Sequence, residues 1–199
     1  MKALLTLLAV CLSLVASLAS PATAATPAKK ALLVVASRNY LESEYQNTRD
    51  ALESAGIAVE VASDAALATG YTVGEIKADL LIDKARAENY AAIAVIGGYG
   101  AHDLLWQHKG LQGLLQKAHA AGRIVAALCA APPVLANAGL LKGVKATMWP
   151  DRTWIATLEA GGAHYVDEPV VIAGSIITGK NPAAAPAFGE ALAKAIARP

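Results

Sequence analysis

The chain carries cysteine at two positions, Cys11 in an apolar N-terminal stretch and Cys129 in "GRIVAALCAAPPVLANAGLL" (122–141). Cys129 closes the apolar run Arg123 to Leu128, and Pro132 and Pro133 follow closely, where a helix is expected to begin. In open α/β sheets chemistry collects beyond the carboxyl ends of the strands, so this is a place for a nucleophile. A nucleophile on a sharp strand-to-helix turn needs small residues two before and two after it, and Ala127 and Ala131 meet that size requirement. Proline is tolerated in a first helical turn because its missing N–H had no intrahelical partner to lose. The free donors nearest the thiol are then those of Ala130 and Ala131, which together with the helix dipole favour an anion. The thiolate is the reactive form, so this context predicts a lowered thiol pKa. The alternative is a small buried core residue, as free cysteine commonly is.

A second feature is the pair Gly97-Gly98 after the apolar run "AAIAVI" (91–96), where glycine lets a backbone come close to a ligand. Taken alone, the pair reads equally as an ordinary loop. Gly98-Tyr99-Gly100 does not complete a dinucleotide fingerprint, since Asp103 stands in the place of the last small residue. With no metal-ligand spacing and no phosphate loop, the sequence implies neither cofactor nor metal.

The elements that would position these residues alternate. Residues 31–37 form a continuous apolar run of strand length, 43–56 have helical spacing ending at Gly56, and 57–63 alternate as a strand. The order continues with a helix over 78–90, a strand over 91–98, a helix over 102–122, a strand over 123–129 and a helix over 132–141. Near-continuous apolar strands are the mark of a parallel sheet covered on both sides, so the fold class is α/β. Beyond Thr147 a helix over 151–162, two strands joined at Ala173-Gly174 and a closing helix over 184–197 are expected.

The length of 199 residues fits one compact domain. Lys2, the apolar stretch Ala3 to Ala19 and the small-residue site Ala22-Thr23-Ala24 predict a signal peptide over 1–24, with an uncleaved anchor as the alternative. Cys11 would leave with it, and the expected location is exported, periplasmic or secreted. Loss of Lys2 takes 17 basic residues to 16, equal to the 16 acidic ones. Without a run of like charge, neither nucleic acid nor, after cleavage, a membrane surface is an evident partner. Exported proteins that use cysteine structurally pair it, and the mature chain offers Cys129 no internal partner.

Three segments, "AVIGGYGAHDLL", "RIVAALCAAPPVLANAGLLKGVKAT" and "YVDEPVVIAGSIITGKNPAAAPAF", resemble successive signatures of the ThiJ/PfpI superfamily, which includes the parkinsonism-associated deglycase. The resemblance runs from residue 30 to residue 197, and it implies one domain over 30–199 with a flavodoxin-like three-layer sandwich. It also implies a homodimer or higher homo-oligomer and a nucleophile elbow at Cys129. In that family an acidic residue of the first helix region faces the cysteine, and the matching position is Glu44. Chemistry agrees, because a carboxylic acid beside a thiolate tends to keep its proton and can donate and accept it. The alternative makes Glu44, like Glu42, an ordinary solvated residue at a helix start. The resemblance also pairs the N–H groups of Gly98 and Ala130 as an oxyanion hole for a carbonyl substrate.

The pattern breaks at histidine. Ala130 stands where the peptidase-like branch has His, and Trp149 stands where the deglycase branch has it. His102 follows the glycine turn and could reach the site or serve as a polar surface residue, while His108, His119 and His164 read as solvated. Gly97, Tyr99, His102 and Trp149 are the residues expected to shape the pocket. Amide cleavage must protonate a poor leaving group, whereas addition of a thiolate to an aldehyde needs an oxyanion site and one proton shuttle. The leading expectation is therefore a cysteine-dependent enzyme acting on small reactive carbonyls, glyoxalase- or deglycase-like. A redox-sensing or chaperone-like stress protein, a cysteine peptidase or amidase, and an isocyanide hydratase-like enzyme are the alternatives.

Overall fold

The computed structural model describes residues 29–198, so the expected signal peptide over 1–24 lies outside the described residues. The chain runs β1 (Lys30–Val35), β2 (Arg38–Tyr40), α1 (Glu42–Ser54), β3 (Ala58–Ser63), β4 (Leu67–Gly70), β5 (Glu75–Lys77) and β6 (Leu80–Leu81). It continues through β7 (Ala92–Val95), α2 (Lys109–Ala120), β8 (Ile124–Leu128), α3 (Pro132–Asn137), β9 (Lys145–Ala146) and α4 (Arg152–Ala160). The last elements are β10 (His164–Tyr165), β11 (Val170–Ala173), β12 (Ile176–Gly179) and α5 (Ala185–Ala197).

A seven-stranded sheet in the order β11-β12-β8-β7-β1-β3-β6 forms the centre, parallel everywhere except where β11 runs against β12. The apolar runs explain it: Ala31 through Val35, Ala92 through Val95 and Val125 through Leu128 are buried at every residue, as strands must be when helices cover both faces. Helices α1 and α5 pack on one another and on the sheet, and Gly189 permits their approach because a Cβ there would lie 2.8 Å from that of Ala51. Helix α2 packs on β7 and β8 and meets α3, which meets α4. This is the expected flavodoxin-like arrangement. Among the described residues no helix is long and apolar enough to cross a membrane.

Two expectations are corrected. Residues 78–90 are not a helix but the short strand β6 followed by tight turns at Ile82–Lys84 and Ala87–Asn89. The Asp79 N–H donates to the Val61 carbonyl at 2.9 Å, and the Val61 N–H donates to the Asp79 carboxylate at 2.8 Å, which draws the segment out along β3. The helix expected over 102–122 divides into a π-helical turn, Ala101–Leu105, and α2, because the His108 ring accepts the Leu111 N–H at 3.1 Å and starts a new helix. The structure adds a small sheet in the order β2-β4-β5, too short and polar to show in the apolar pattern. The β11–β12 hairpin holds as expected, turning through Gly174 at φ 63°.

Candidate active site

Cys129 follows β8 with φ at 60°, a left-handed conformation that costs a residue with a Cβ about 1–2 kcal/mol. Its surroundings hold it there. The Cys129 N–H donates to the Gly179 carbonyl and its carbonyl accepts the Trp149 N–H, both at 2.9 Å. The Ala130 carbonyl accepts the Trp106 indole N–H at 2.7 Å, and the Ala131 N–H returns to the Leu128 carbonyl at 3.0 Å. Pro132 and Pro133 occupy the first turn of α3, where their missing N–H groups cost nothing.

Glu44, in the first turn of α1, is fully buried rather than solvated. Its Oε2 accepts the Gly97 N–H at 3.0 Å. Its Oε1 has no hydrogen-bond partner among the described residues, and the Cys129 thiol bears on the carboxyl. Burial raises the carboxyl from an ordinary 4.5 to about 7, against the opposing pull of the hydrogen bonds from Cys129 and Gly97. The same burial pushes the Cys129 thiol up, and the charge of Glu44 and its hydrogen bond push the same way. The N–H groups of Ala130 and Gly98 pull it down and are outweighed. The expectation of a lowered thiol pKa is thereby corrected, since the sulfur is too deeply desolvated for two backbone donors to compensate. Near neutral pH the thiol therefore keeps its proton while the carboxyl is poised between its two forms.

The glycine pair makes this closeness possible. A Cβ on Gly97 would lie 2.6 Å from Glu44 Oε2 and 2.8 Å from the Cβ of Cys129, so Gly97 is wedged between the two groups. Gly98 has φ 100°, and a Cβ there would strike the Asn39 carbonyl. Its N–H, like that of Ala130, bears on the Cys129 sulfur.

Above the sulfur opens a cavity of about 210 Å³ lined by Leu41, Tyr71, Gly98, Tyr99, Cys129, Ala130, Trp149, Trp154 and Pro182. Tyr99 and Trp149 take the expected places, and Gly97 lies beneath the lining. His102 does not line the cavity. Its ring stacks on Trp154 with centroids 5.2 Å apart, and its Nδ1 lies 2.7 Å from an Asp103 oxygen, so it braces the back of that indole. The other histidines are also elsewhere: His108 caps α2, His119 lies 3.2 Å from the Ser175 hydroxyl, and His164 is exposed on β10.

Tyr71 and Trp154 were not legible as pocket residues, because neither the loop that carries Tyr71 nor the first turn of α4 that carries Trp154 holds a motif. Tyr71 is fixed through Glu42. That carboxylate accepts the N–H groups of Thr72 at 2.7 Å and Val73 at 2.8 Å, while the Tyr71 N–H donates to the Tyr40 carbonyl at 2.9 Å. Burial pushes the Glu42 carboxyl up, but the backbone N–H groups and the Thr72 hydroxyl outweigh it and leave the pKa below its ordinary value. The reading of Glu42 as merely solvated is corrected, since it clasps the loop above the cavity.

The model of the DJ-1/PfpI family matches residues 29–195, nearly all of the described chain. The chain belongs to the DJ-1/PfpI family. This DJ-1/PfpI protein is 35% identical over 171 residues to an uncharacterized protein of Methanocaldococcus jannaschii, covering 84% of this chain and 82% of that one. Among solved structures it is similar to a ThiJ/PfpI domain protein of Brachyspira murdochii, with a TM-score of 0.80 at 27% identity, covering 85% of this chain and 96% of that one. It is also similar to DJ-1beta of Drosophila melanogaster, with a TM-score of 0.77 at 28% identity, covering 85% and 91%. A third likeness is to the oxidized DJ-1 of Toxoplasma gondii, with a TM-score of 0.72 at 31% identity, covering 85% and 96%. Membership places the chain among DJ-1-type enzymes and stress proteins.

Proposed function

We propose that this DJ-1/PfpI protein converts small α-ketoaldehydes such as methylglyoxal to the corresponding 2-hydroxy acids, using the Cys129 thiol and the Glu44 carboxyl without glutathione or metal. The observation that carries this reading is the fully buried Glu44, raised to about 7, beside a thiol beneath an apolar cavity. Such a carboxyl accepts and returns a proton at neutral pH with little driving-force mismatch.

The sulfur attacks the aldehyde carbon as its proton passes to the Glu44 carboxylate. The oxygen that gains the electron pair is met by the N–H groups of Gly98 and Ala130 and takes the proton back from Glu44, giving a hemithioacetal. Glu44, again a carboxylate, removes the hydrogen on the former aldehyde carbon, and the electron pair moves onto the neighbouring ketone oxygen to form an enediolate. Return of that proton to the ketone carbon, with the hydroxyl proton of the former aldehyde oxygen passing to the former ketone oxygen, leaves a thioester beside a new hydroxyl, so one carbon is oxidised as the other is reduced. Water cleaves the thioester, freeing the acid and restoring the thiol. No step requires protonation of an amide leaving group, which suits a cavity lined by no histidine.

Methylglyoxal consumption with formation of lactate tests the reading. Cys129→Ser abolishes it, Glu44→Gln lowers it by ~10²-fold or more, and Trp149→His raises it by restoring an imidazole at the position the deglycase branch uses. Equal consumption by wild type and Cys129→Ser overturns catalysis and leaves a redox-sensing role, favoured by the two N–H groups that bear on the sulfur and would hold an oxygen added there. Export is part of the proposal, and N-terminal sequencing after Ala24 checks it. A homodimer is proposed also, checked by light scattering.

A further inference from the structure

Four aromatic side chains surround the cavity, and among the described residues no lysine, arginine, aspartate or glutamate lines it. Tyr71 and Tyr99 lie with ring centroids 5.5 Å apart, and Tyr99 meets the Trp154 indole at 6.2 Å and nearly edge-on, so these rings form one continuous wall. The wall is fixed from behind. His102 stacks on Trp154, whose ring also stands 5.7 Å from that of Trp106, and Glu42 anchors the loop bearing Tyr71. The volume of about 210 Å³ is more than a three-carbon ketoaldehyde fills.

We infer that this cavity selects neutral electrophiles bearing a flat apolar group, and that among ketoaldehydes its substrates are aryl-substituted 2-oxoaldehydes, with Tyr71 and Trp154 as the selecting residues. The inference rests on the catalytic reading above for its reaction and on the wall alone for its selectivity. A flat ring meets faces and edges already held in place, so it gains aromatic contact without ordering the side chains. An anionic substituent finds no cation in the lining and approaches a carboxyl that is itself partly charged at neutral pH, so it is disfavoured on two counts. A cationic substituent would be drawn to the rings, and the experiment includes it as an opposing outcome.

Two measurements separate selectivity from catalysis. In the first, Cys129 is alkylated at fixed pH by N-benzyl iodoacetamide, iodoacetamide, iodoacetate and a trimethylammonium-bearing iodoacetamide, each rate divided by that for free cysteine. The expected order places the benzyl reagent about tenfold above iodoacetamide and iodoacetate last, and the benzyl advantage shrinks in Tyr71→Ala and in Trp154→Ala. Tyr71 is 52% exposed, so its loss leaves the fold intact. Because Trp154 is half-buried against Trp106 and His102, Trp154→Phe is measured beside Trp154→Ala with circular dichroism as the check on folding. In the second, kcat/KM for phenylglyoxal exceeds that for methylglyoxal in wild type, and the ratio falls in both variants. A benzyl reagent no faster than iodoacetamide, or a cationic reagent fastest of all, overturns the selection. Loss of all ketoaldehyde turnover with the alkylation order intact overturns the catalytic reading while upholding selection for flat neutral electrophiles.

Discussion

Replacing Glu44 by glutamine removes a titrating group while keeping a carbonyl oxygen for the Gly97 N–H, so its effect on stability should depend on pH in a calculable way. The carboxyl sits at 4.5 when solvated and at about 7 in the fold. Below the lower value the group is protonated in both states and contributes nothing to the pH dependence. As pH rises through the window between the two values, the unfolded chain ionises while the folded chain holds its proton, and stability falls. Two and a half pH units at about 1.4 kcal/mol each amount to ~3 kcal/mol, levelling off once the folded carboxyl has also ionised. No discount for solvent screening applies, because the side chain is fully buried. Urea unfolding of wild type and Glu44→Gln at intervals from about pH 4 to about pH 8 is the assay, and the variant should gain on wild type by ~3 kcal/mol across the range. A constant difference at every pH would refute the reasoning, for it would mean that Glu44 does not titrate in this window.

At the elbow, the left-handed backbone of Cys129 predicts that Cys129→Gly is more stable than Cys129→Ala by ~1 kcal/mol, the reverse of the order in ordinary backbone, as read by thermal unfolding. Gly97→Ala forces a methyl against Glu44 Oε2 and the Leu128 carbonyl; a loss of about 1–3 kcal/mol with a larger loss of turnover is expected. Thr178 is buried and its hydroxyl accepts the Thr147 N–H at 2.9 Å, so Thr178→Val strands a buried donor and should cost about 1–3 kcal/mol in denaturant unfolding.

The buried strands were legible because a parallel sheet covered on both sides leaves an uninterrupted apolar record, as "ALLVV" and "AAIAVI" show. Cys129 was legible for a different reason: small residues flank it, and within a helix a proline pair is tolerated only in the first turn. Glu44 required the family resemblance, since nothing in its local sequence separates it from Glu42, two residues earlier on the same helix turn. Only the fold turns one carboxylate inward to the sulfur and the other outward to the Thr72 and Val73 N–H groups. Residues 78–90 misled because Asp79 takes its partners from Val61 across the sheet, a choice that local helical spacing does not record. Trp154 and Tyr71 reached the cavity from parts of the chain whose placement depends on long-range clasps, and the sign of the thiol shift depended on a burial that no motif states.

The tether between the Trp149 N–H and the Cys129 carbonyl separates two jobs at one position. In a trans peptide the carbonyl and the N–H point opposite ways, so pinning the Cys129 oxygen also aims the Ala130 N–H, which belongs to the same peptide plane. That aim is set by the main chain of residue 149 and is indifferent to what its side chain is. Tryptophan, histidine or alanine there would each leave the nucleophile's peptide pointing as it does, whereas proline, which has no N–H, would set it free. Position 149 is thus a socket in which the cavity wall can be exchanged while the electrophile's docking point stays fixed, a division of labour that lets one scaffold change its chemistry a side chain at a time.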